Sequence, residues 1–307
     1  MNKHSYGYFI AFATILIWGT TYIFTKNLLN HFTPYEIVMY RTAFAWMILI
    51  AIYPKFNFRW NWKEERLFLA LGVLGVTMYY LLENIALNYT QASNVGLIVS
   101  SIPLFTAIIA HYMHKDEAFH RNQIYGFVFA IIGIFLIIFN GSFHLNLNPL
   151  GDILAFICAL VWALYTNLLK RVNNQMSPVV IVRKTFFYGL VTLVPILLLQ
   201  GIEVNLTDLS NVNVLGSILY LSAAASVLCF LMWNKAISMI GSVKASNFIY
   251  LIPLITMASS YIFLKETITW SMLFGGILIL FGVYVNEHKR IAIQESVVET
   301  AATPMDI

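Results

Sequence analysis

Charge is what this chain has least of: only 10% of its 307 residues are Asp, Glu, Lys or Arg, against 60% apolar ones. Mean hydropathy is +0.76. Such a balance excludes an ordinary water-soluble domain. Long polar stretches are missing too. The longest inside the chain, 201–213, is too short to fold alone, so binding and any chemistry must happen within the apolar bundle. Cysteine is scarce, and Cys158 and Cys229 both sit in apolar runs, which excludes a disulfide framework and suits buried thiols. No A-x-A-like cleavage site follows Lys3, so the first apolar run reads as a retained span and not a signal peptide. A phosphate-binding GxxxxGK(S/T) run is absent, so ATP is not the direct driver of whatever this chain does. Basic residues flank apolar runs without clustering, which gives no footprint for nucleic acid.

What is present is a series of apolar runs, each about 20 residues and long enough to cross a hydrocarbon core of ~30 Å. Their expected spans are 6–28, 35–53, 66–88, 91–113, 122–140, 150–170, 179–199, 213–236, 243–264 and 269–286. The fold expected is an all-α integral membrane protein of ten transmembrane helices. Of the 18 Lys and Arg residues, 13 fall on one side if the N-terminus is cytoplasmic. Only Lys26 and Lys265 then fall on the other, while Arg41, Arg183 and Lys184 lie within spans. The excess of cytoplasmic positive charge places both termini in the cytoplasm of a multi-pass cell-membrane protein.

The two halves repeat. A shift of 144 superposes Gly7 on Gly151, Ala11 on Ala155, Phe12 on Phe156, Trp18 on Trp162, Lys26 on Lys170 and Pro34 on Pro178. A shift of 150 superposes Asn84 on Asn234, Ala86 on Ala236 and Pro103 on Pro253. A shift of 149 places Glu117 on Glu266, Gly126 on Gly275 and Gly133 on Gly282. Residues 1–144 and 145–288 thus form two five-span repeats, followed by a flexible cytoplasmic tail, 289–307. Five is odd, so the second repeat must enter the membrane inverted, which is the geometry of alternating access.

The residues carrying this pattern resemble the drug/metabolite transporter superfamily, in particular its ten-helix EamA-type members. They are "WGTTYIFTK", "TPYEIVMYRTAFA", "ALNYTQASNVGLIVSSIPLFTAI" and "KDEAFHRNQIYGFVFAIIGI" in the first repeat. The second has "WALYTNLLK", "AISMIGSVKASNFIYLIPLITM" and "LKETITWSMLFGGILILFGVYV". The resemblance covers almost the whole chain. It implies a central cavity and export or exchange of small organic molecules, from amino acids to amphipathic drugs. One position departs from the pattern: Glu83 stands where many relatives carry an uncharged residue.

Glu83 is the sharpest candidate for function, since a carboxylate within a span is costly and calls for a partner. Arg41 lies at a matching depth in the second span. The two are expected either as a structural ion pair or as a cation or proton site, with protons the candidate coupling ion. Trp18, Tyr79 and Trp162 offer an aromatic substrate lining with cation–π capacity, and Tyr165 and Thr166 add polar contacts from the sixth span. Asn94, Ser246, Asn247 and Tyr250 offer polar contacts, Ser246, Tyr250 and Pro253 sharing one face of a continuous helix. Pro103 and Pro253 occupy matching midspan positions and should bend two gating helices. The four glycines 126, 133, 275 and 282 are expected at close helix packing. His111, His114, Asp116 and His120 read as a solvated loop rather than a metal site. No cofactor, no metal and no catalytic residue is expected.

The leading function is a secondary transporter exporting small organic metabolites or amphipathic, cationic compounds around a midplane cavity. Its partners are then the solute and the lipid bilayer; oligomeric state is left open. An exchanger of amino acids or other neutral solutes is the alternative. A membrane-embedded enzyme would need clustered acids, bases or metal ligands at one interface, and the sequence offers none beyond the histidines.

Overall fold

The structure is a computed structural model, described for residues 3–54, 61–90, 92–117, 120–139, 149–172, 176–201, 209–259, 261–262 and 269–285. Every regular element among them is helical. The helices are α1 (Lys3–Leu28), α2 (Pro34–Ile52), α3 (Trp62–Tyr89), α4 (Ala92–Val99), α5 (Ile102–Met113) and α6 (Arg121–Phe139). They continue with α7 (Pro149–Val172), α8 (Pro178–Gln200), α9 (Val212–Ile240), α10 (Ser242–Asn247), α11 (Ile252–Ser259) and α12 (Trp270–Val285). Among the described residues, six of these are long and apolar enough to cross a membrane: α1, α2, α3, α7, α8 and α9. The remaining expected spans are realised as shorter apolar helices or as broken ones. Lys265 and Glu266, and the tail from 286 onward, lie outside the described residues.

Local sequence explains the helix ends. Thr33 and Glu36 form a capping box before α2, with the Thr33 amide donating to Glu36 Oε2 at 2.7 Å, and Pro34 fills the first position, where no amide is needed. Asn211 caps α9 by accepting from the Asn213 amide at 3.0 Å. Gly201, at φ 64°, ends α8 in the left-handed conformation.

The expected fourth and ninth spans do not run as continuous helices. Between α4 and α5, Ser100 and Ser101 turn their hydroxyls onto the carbonyls of Gly96 and Ile98, each at 2.6 Å, just before Pro103. Between α10 and α11, Phe248–Leu251 forms a 3-10 turn just before Pro253. Each break precedes a residue with no amide to donate, so the ladder is already weakened there. The third and eighth spans are interrupted differently. Both widen into π-helix, at Val73–Met78 in α3 and at Tyr220–Leu228 in α9.

Helix crossings use the glycines as expected. A Cβ on Gly282 would stand 2.6 Å from the Gly126 carbonyl oxygen, and Gly133 faces Gly275 with the same intolerance, so α6 and α12 cross backbone to backbone. At the end of the bundle where α1 begins, Lys184 on α8 reaches Glu65 on α3 at 2.5 Å, and Tyr188 donates to the same carboxylate at 2.6 Å.

Candidate functional site

A cavity lies within the bundle where α1, α2, α3, α7 and α9 meet the two broken segments. From α1 come Trp18, Thr21 and Tyr22; from α3 come Tyr79, Tyr80 and Glu83. Trp162 of α7 and Phe230 of α9 close the aromatic side, and Arg41 enters from α2. Val99 and Ile102 flank the α4–α5 break, as Ile249 and Ile252 flank the α10–α11 break. The cavity holds about 30 Å³. That is room for water, not for an organic solute.

The wall is built in repeat-related pairs. Trp18 and Trp162 meet edge to face with ring centroids 5.2 Å apart. Under the 150-residue shift, Tyr80 answers to Phe230, Val99 to Ile249 and Ile102 to Ile252, and all eight residues touch the same space. The charged members have no such counterparts. Glu83 corresponds to Trp233, and Arg41 to Thr185.

The direct Glu83–Arg41 ion pair that the matched depths suggested is not formed. The Arg41 guanidinium lies 3.8 Å over the Tyr80 ring and donates from Nε to Ser226 Oγ at 2.8 Å. Tyr80 Oη is 3.1 Å from the same serine oxygen. Glu83 instead accepts from Tyr79 Oη at 3.0 Å, one helical turn back. Ser226 belongs to the π-helical part of α9, which captures the guanidinium before it can reach the carboxylate. Both side chains are buried and line the same cavity.

The other expected lining residues scatter. Tyr165 stands behind the wall: it is 1% exposed and packs over Gly75, where any Cβ would collide with its ring. Ser246 is buried with its hydroxyl on the Val243 carbonyl at 3.0 Å. Tyr250 packs with Ala130, Ile134 and Ile279 in a separate apolar cluster. Asn247 is buried and does not line the cavity, and the side chain of Asn94 lies outside the described residues. The 3-10 turn alters the helix phase, so Ile249 and Ile252 take the wall in place of Ser246 and Tyr250. Pro103 and Pro253 sit one residue past the wall residues Ile102 and Ile252.

Sequence reading missed Thr21, Tyr22, Tyr80 and Phe230, along with the four aliphatic wall residues. The signal was available in the repeat. Applying the 150-residue shift to the neighbours of Pro103 pairs Val99 with Ile249 and Ile102 with Ile252.

At the bundle end where α1 begins, the expected solvated loop is tied down in part. Asp116 takes a hydrogen bond from Lys170 at 2.6 Å, which holds its carboxyl below the usual range. His114 Nε2 is 3.1 Å from the Asn167 carbonyl, and burial, aided by the nearby Lys170 charge, pushes its pKa down. Among the described residues no group of three metal-ligating side chains converges.

Known proteins fit this architecture. The sequence profile of the EamA-like transporter family matches the chain twice, over residues 5–139 and 149–286. The uncharacterized transporter YyaM of Bacillus subtilis is 30% identical over 288 residues, covering 92% of this chain and 93% of its own. An uncharacterized transporter of Archaeoglobus fulgidus is 28% identical, covering 90% of this chain and 96% of its own. A Salmonella typhimurium protein named "Probable amino-acid metabolite efflux pump" is 25% identical, with 91% and 93% covered. A solved crystal structure shares the fold at a TM-score of 0.74 and 16% identity, covering 94% of this chain and 99% of its own. The chain belongs to the EamA-like transporter family of the drug/metabolite superfamily and is a transporter built as a multi-pass membrane protein.

Proposed function

We propose that the chain is a secondary transporter of the cell membrane that exports small organic metabolites or amphipathic, cationic compounds. It works by alternating access between two inverted five-span repeats, 1–144 and 145–288, followed by the tail 289–307. The carrying observation is the central cavity, whose wall is assembled from repeat-related pairs and bears one buried acid that the repeat does not duplicate. Two further features support ten spans. The broken segments α4–α5 and α10–α11 correspond by repeat, as do the π-helical widenings of α3 and α9. Discontinuous helices at matching places in two halves are where transporters bind their cargo.

Both termini lie in the cytoplasm on this reading, because the basic residues concentrate at the end where α1 begins. The cavity as it stands is too small for an organic solute, so loading requires the helices to part. Glu83 supplies the negative charge for a cation, and the rings of Trp18, Tyr79 and Trp162 supply faces for it. Protons are the coupling ion in this scheme, with Glu83 exchanging its proton for the solute.

Arg41 on the same wall favours a second reading, an amino-acid or other zwitterionic solute with its carboxylate toward Arg41 and its ammonium toward Glu83.

The test is thermal melting of the purified protein in detergent against organic cations, amino acids, nucleosides and organic anions, for wild type and Glu83→Gln. Ligands that bind only the native state raise the melting temperature by mass action. Cations should raise it in wild type and not in Glu83→Gln. A rise with amino acids that also needs Arg41 would select the second reading. Equal responses in both proteins would remove Glu83 from the site.

A further inference from the structure

Glu117 follows α5 at the bundle end where α1 begins, with only 8% of its side chain exposed. Its carboxylate gathers donors from two other elements. Oε1 accepts from Lys170 Nζ at 2.8 Å and from the Ser242 amide at 2.9 Å. Oε2 accepts from the Val243 amide at 3.1 Å and lies 2.8 Å from Ser242 Oγ. The turn between α9 and α10 is shaped for this contact. Gly241 has φ 86°, and a Cβ there would stand 2.6 Å from Glu117 Oε1. Asn167 extends the seam, with Oδ1 3.1 Å from Ser242 Oγ and Nδ2 donating to the Thr106 carbonyl at 3.1 Å. One carboxylate thus ties the end of α5 to the end of α7 and the start of α10.

Between this seam and the cavity lies a second, independent feature. The hydroxyls of Thr106 and Thr166 and the indole nitrogen of Trp233 are buried without hydrogen-bond partners among the described residues. Thr106 stands one turn past the wall residue Ile102, Thr166 one turn past Trp162, and Trp233 three residues past Phe230. All three positions run from the cavity toward the Glu117 end. An apolar plug would serve a permanently closed end better, because an unpaired buried polar group keeps its full desolvation penalty. Polar groups at these places are relieved when water enters beside them.

Building on the transport reading, we propose that Glu117 is the latch of the cytoplasmic gate. Its release from Lys170 and from the Ser242–Val243 amides opens a passage lined by Thr106, Thr166 and Trp233 to the central cavity. Lys170 is a positioning residue that holds the carboxylate in place. Asp116 shares Lys170 but is 72% exposed, so its screened contact adds little to the latch.

The test uses the full chain in proteoliposomes with both native cysteines replaced by alanine and a reporter introduced as Thr166→Cys. Labelling by a membrane-impermeant maleimide is followed from the cytoplasmic face. Glu117→Gln and Lys170→Met should each raise the labelling rate about tenfold, as expected for a shift in the closed–open population. Asp116→Asn should leave it within about twofold on the same scale. Ala130→Cys, in the packed α6–α12 crossing, should stay unreactive throughout. Unchanged labelling at 166 in both latch variants overturns the proposal, as does an equal rise in Asp116→Asn. A parallel rise at 130 would mean general loosening and overturns it too. Labelling needs no solute, so a failure of the latch is separable from a failure of transport, which the melting panel and solute flux report.

Discussion

Arg41 shows how a buried charge is satisfied without an opposite charge beside it. Its planar guanidinium uses one face on the Tyr80 ring and one edge on Ser226, two contacts that an ammonium cannot reproduce together. Arg41→Lys should therefore destabilise the protein, and so should Ser226→Ala, each by about 1–3 kcal/mol, the scale of a lost charge-assisted hydrogen bond. The double variant should cost less than the sum, because both changes remove the same bond. Unfolding in mixed micelles measures all three, and strict additivity would mean the bond carries no energy. The sequence made Arg41 and Glu83 visible because charges stand out in apolar runs. It could not show the partner. Ser226 is 185 residues away and ordinary in its surroundings, so the ion pair looked like the nearest solution. The aliphatic wall residues were hidden for a related reason: Val99 and Ile249 read as core or lipid-facing positions until the fold turns them inward.

Among the elements, prolines and glycines spoke clearly and the π-helical segments did not. The sequences VLGVTM and YLSAAASVL contain nothing that an α-helix would refuse. In α3 the widened segment is held by tertiary contacts, with Thr77 donating to the Gly189 carbonyl at 2.9 Å and Gly75 lying under Tyr165. Such bulges recur at functional sites, and here they end directly before Tyr79 in α3 and two residues before Phe230 in α9. The glycines make a sharper comparison. Gly282→Ala places a methyl 2.6 Å from the Gly126 carbonyl oxygen, against backbone that cannot yield cheaply. Overpacking of this kind costs about 1–3 kcal/mol. Gly216→Ala meets open space within 4 Å and adds helix propensity, up to about 1 kcal/mol. Melting temperatures in detergent should fall for the first and hold or rise for the second. If both fall alike, the α6–α12 crossing is not the tight contact its geometry describes.

For the whole molecule, the decisive question is which side the Glu117 seam faces. In the sequence, 13 of 18 basic residues fall on the same side of the expected spans as the two termini, and on the proposed reading this asymmetry assigns that side to the cytoplasm. A fluorescent protein that folds only in the cytoplasm should therefore light up when fused after Val285. An alkaline phosphatase that is active only outside should work when inserted after Gly201, at the far end of α8. The two fusions belong together, since either alone can mislead if the insertion disturbs a neighbouring span. With the expected outcome, the end held shut by Glu117 and Lys170 faces the cytoplasm, and the cavity must load through it when the transporter exports. With both reporters reversed, the same carboxylate closes the external side. Its release would then discharge solute rather than admit it, and the maleimide would reach Thr166→Cys from outside. Orientation thus converts one local geometry into a direction of transport.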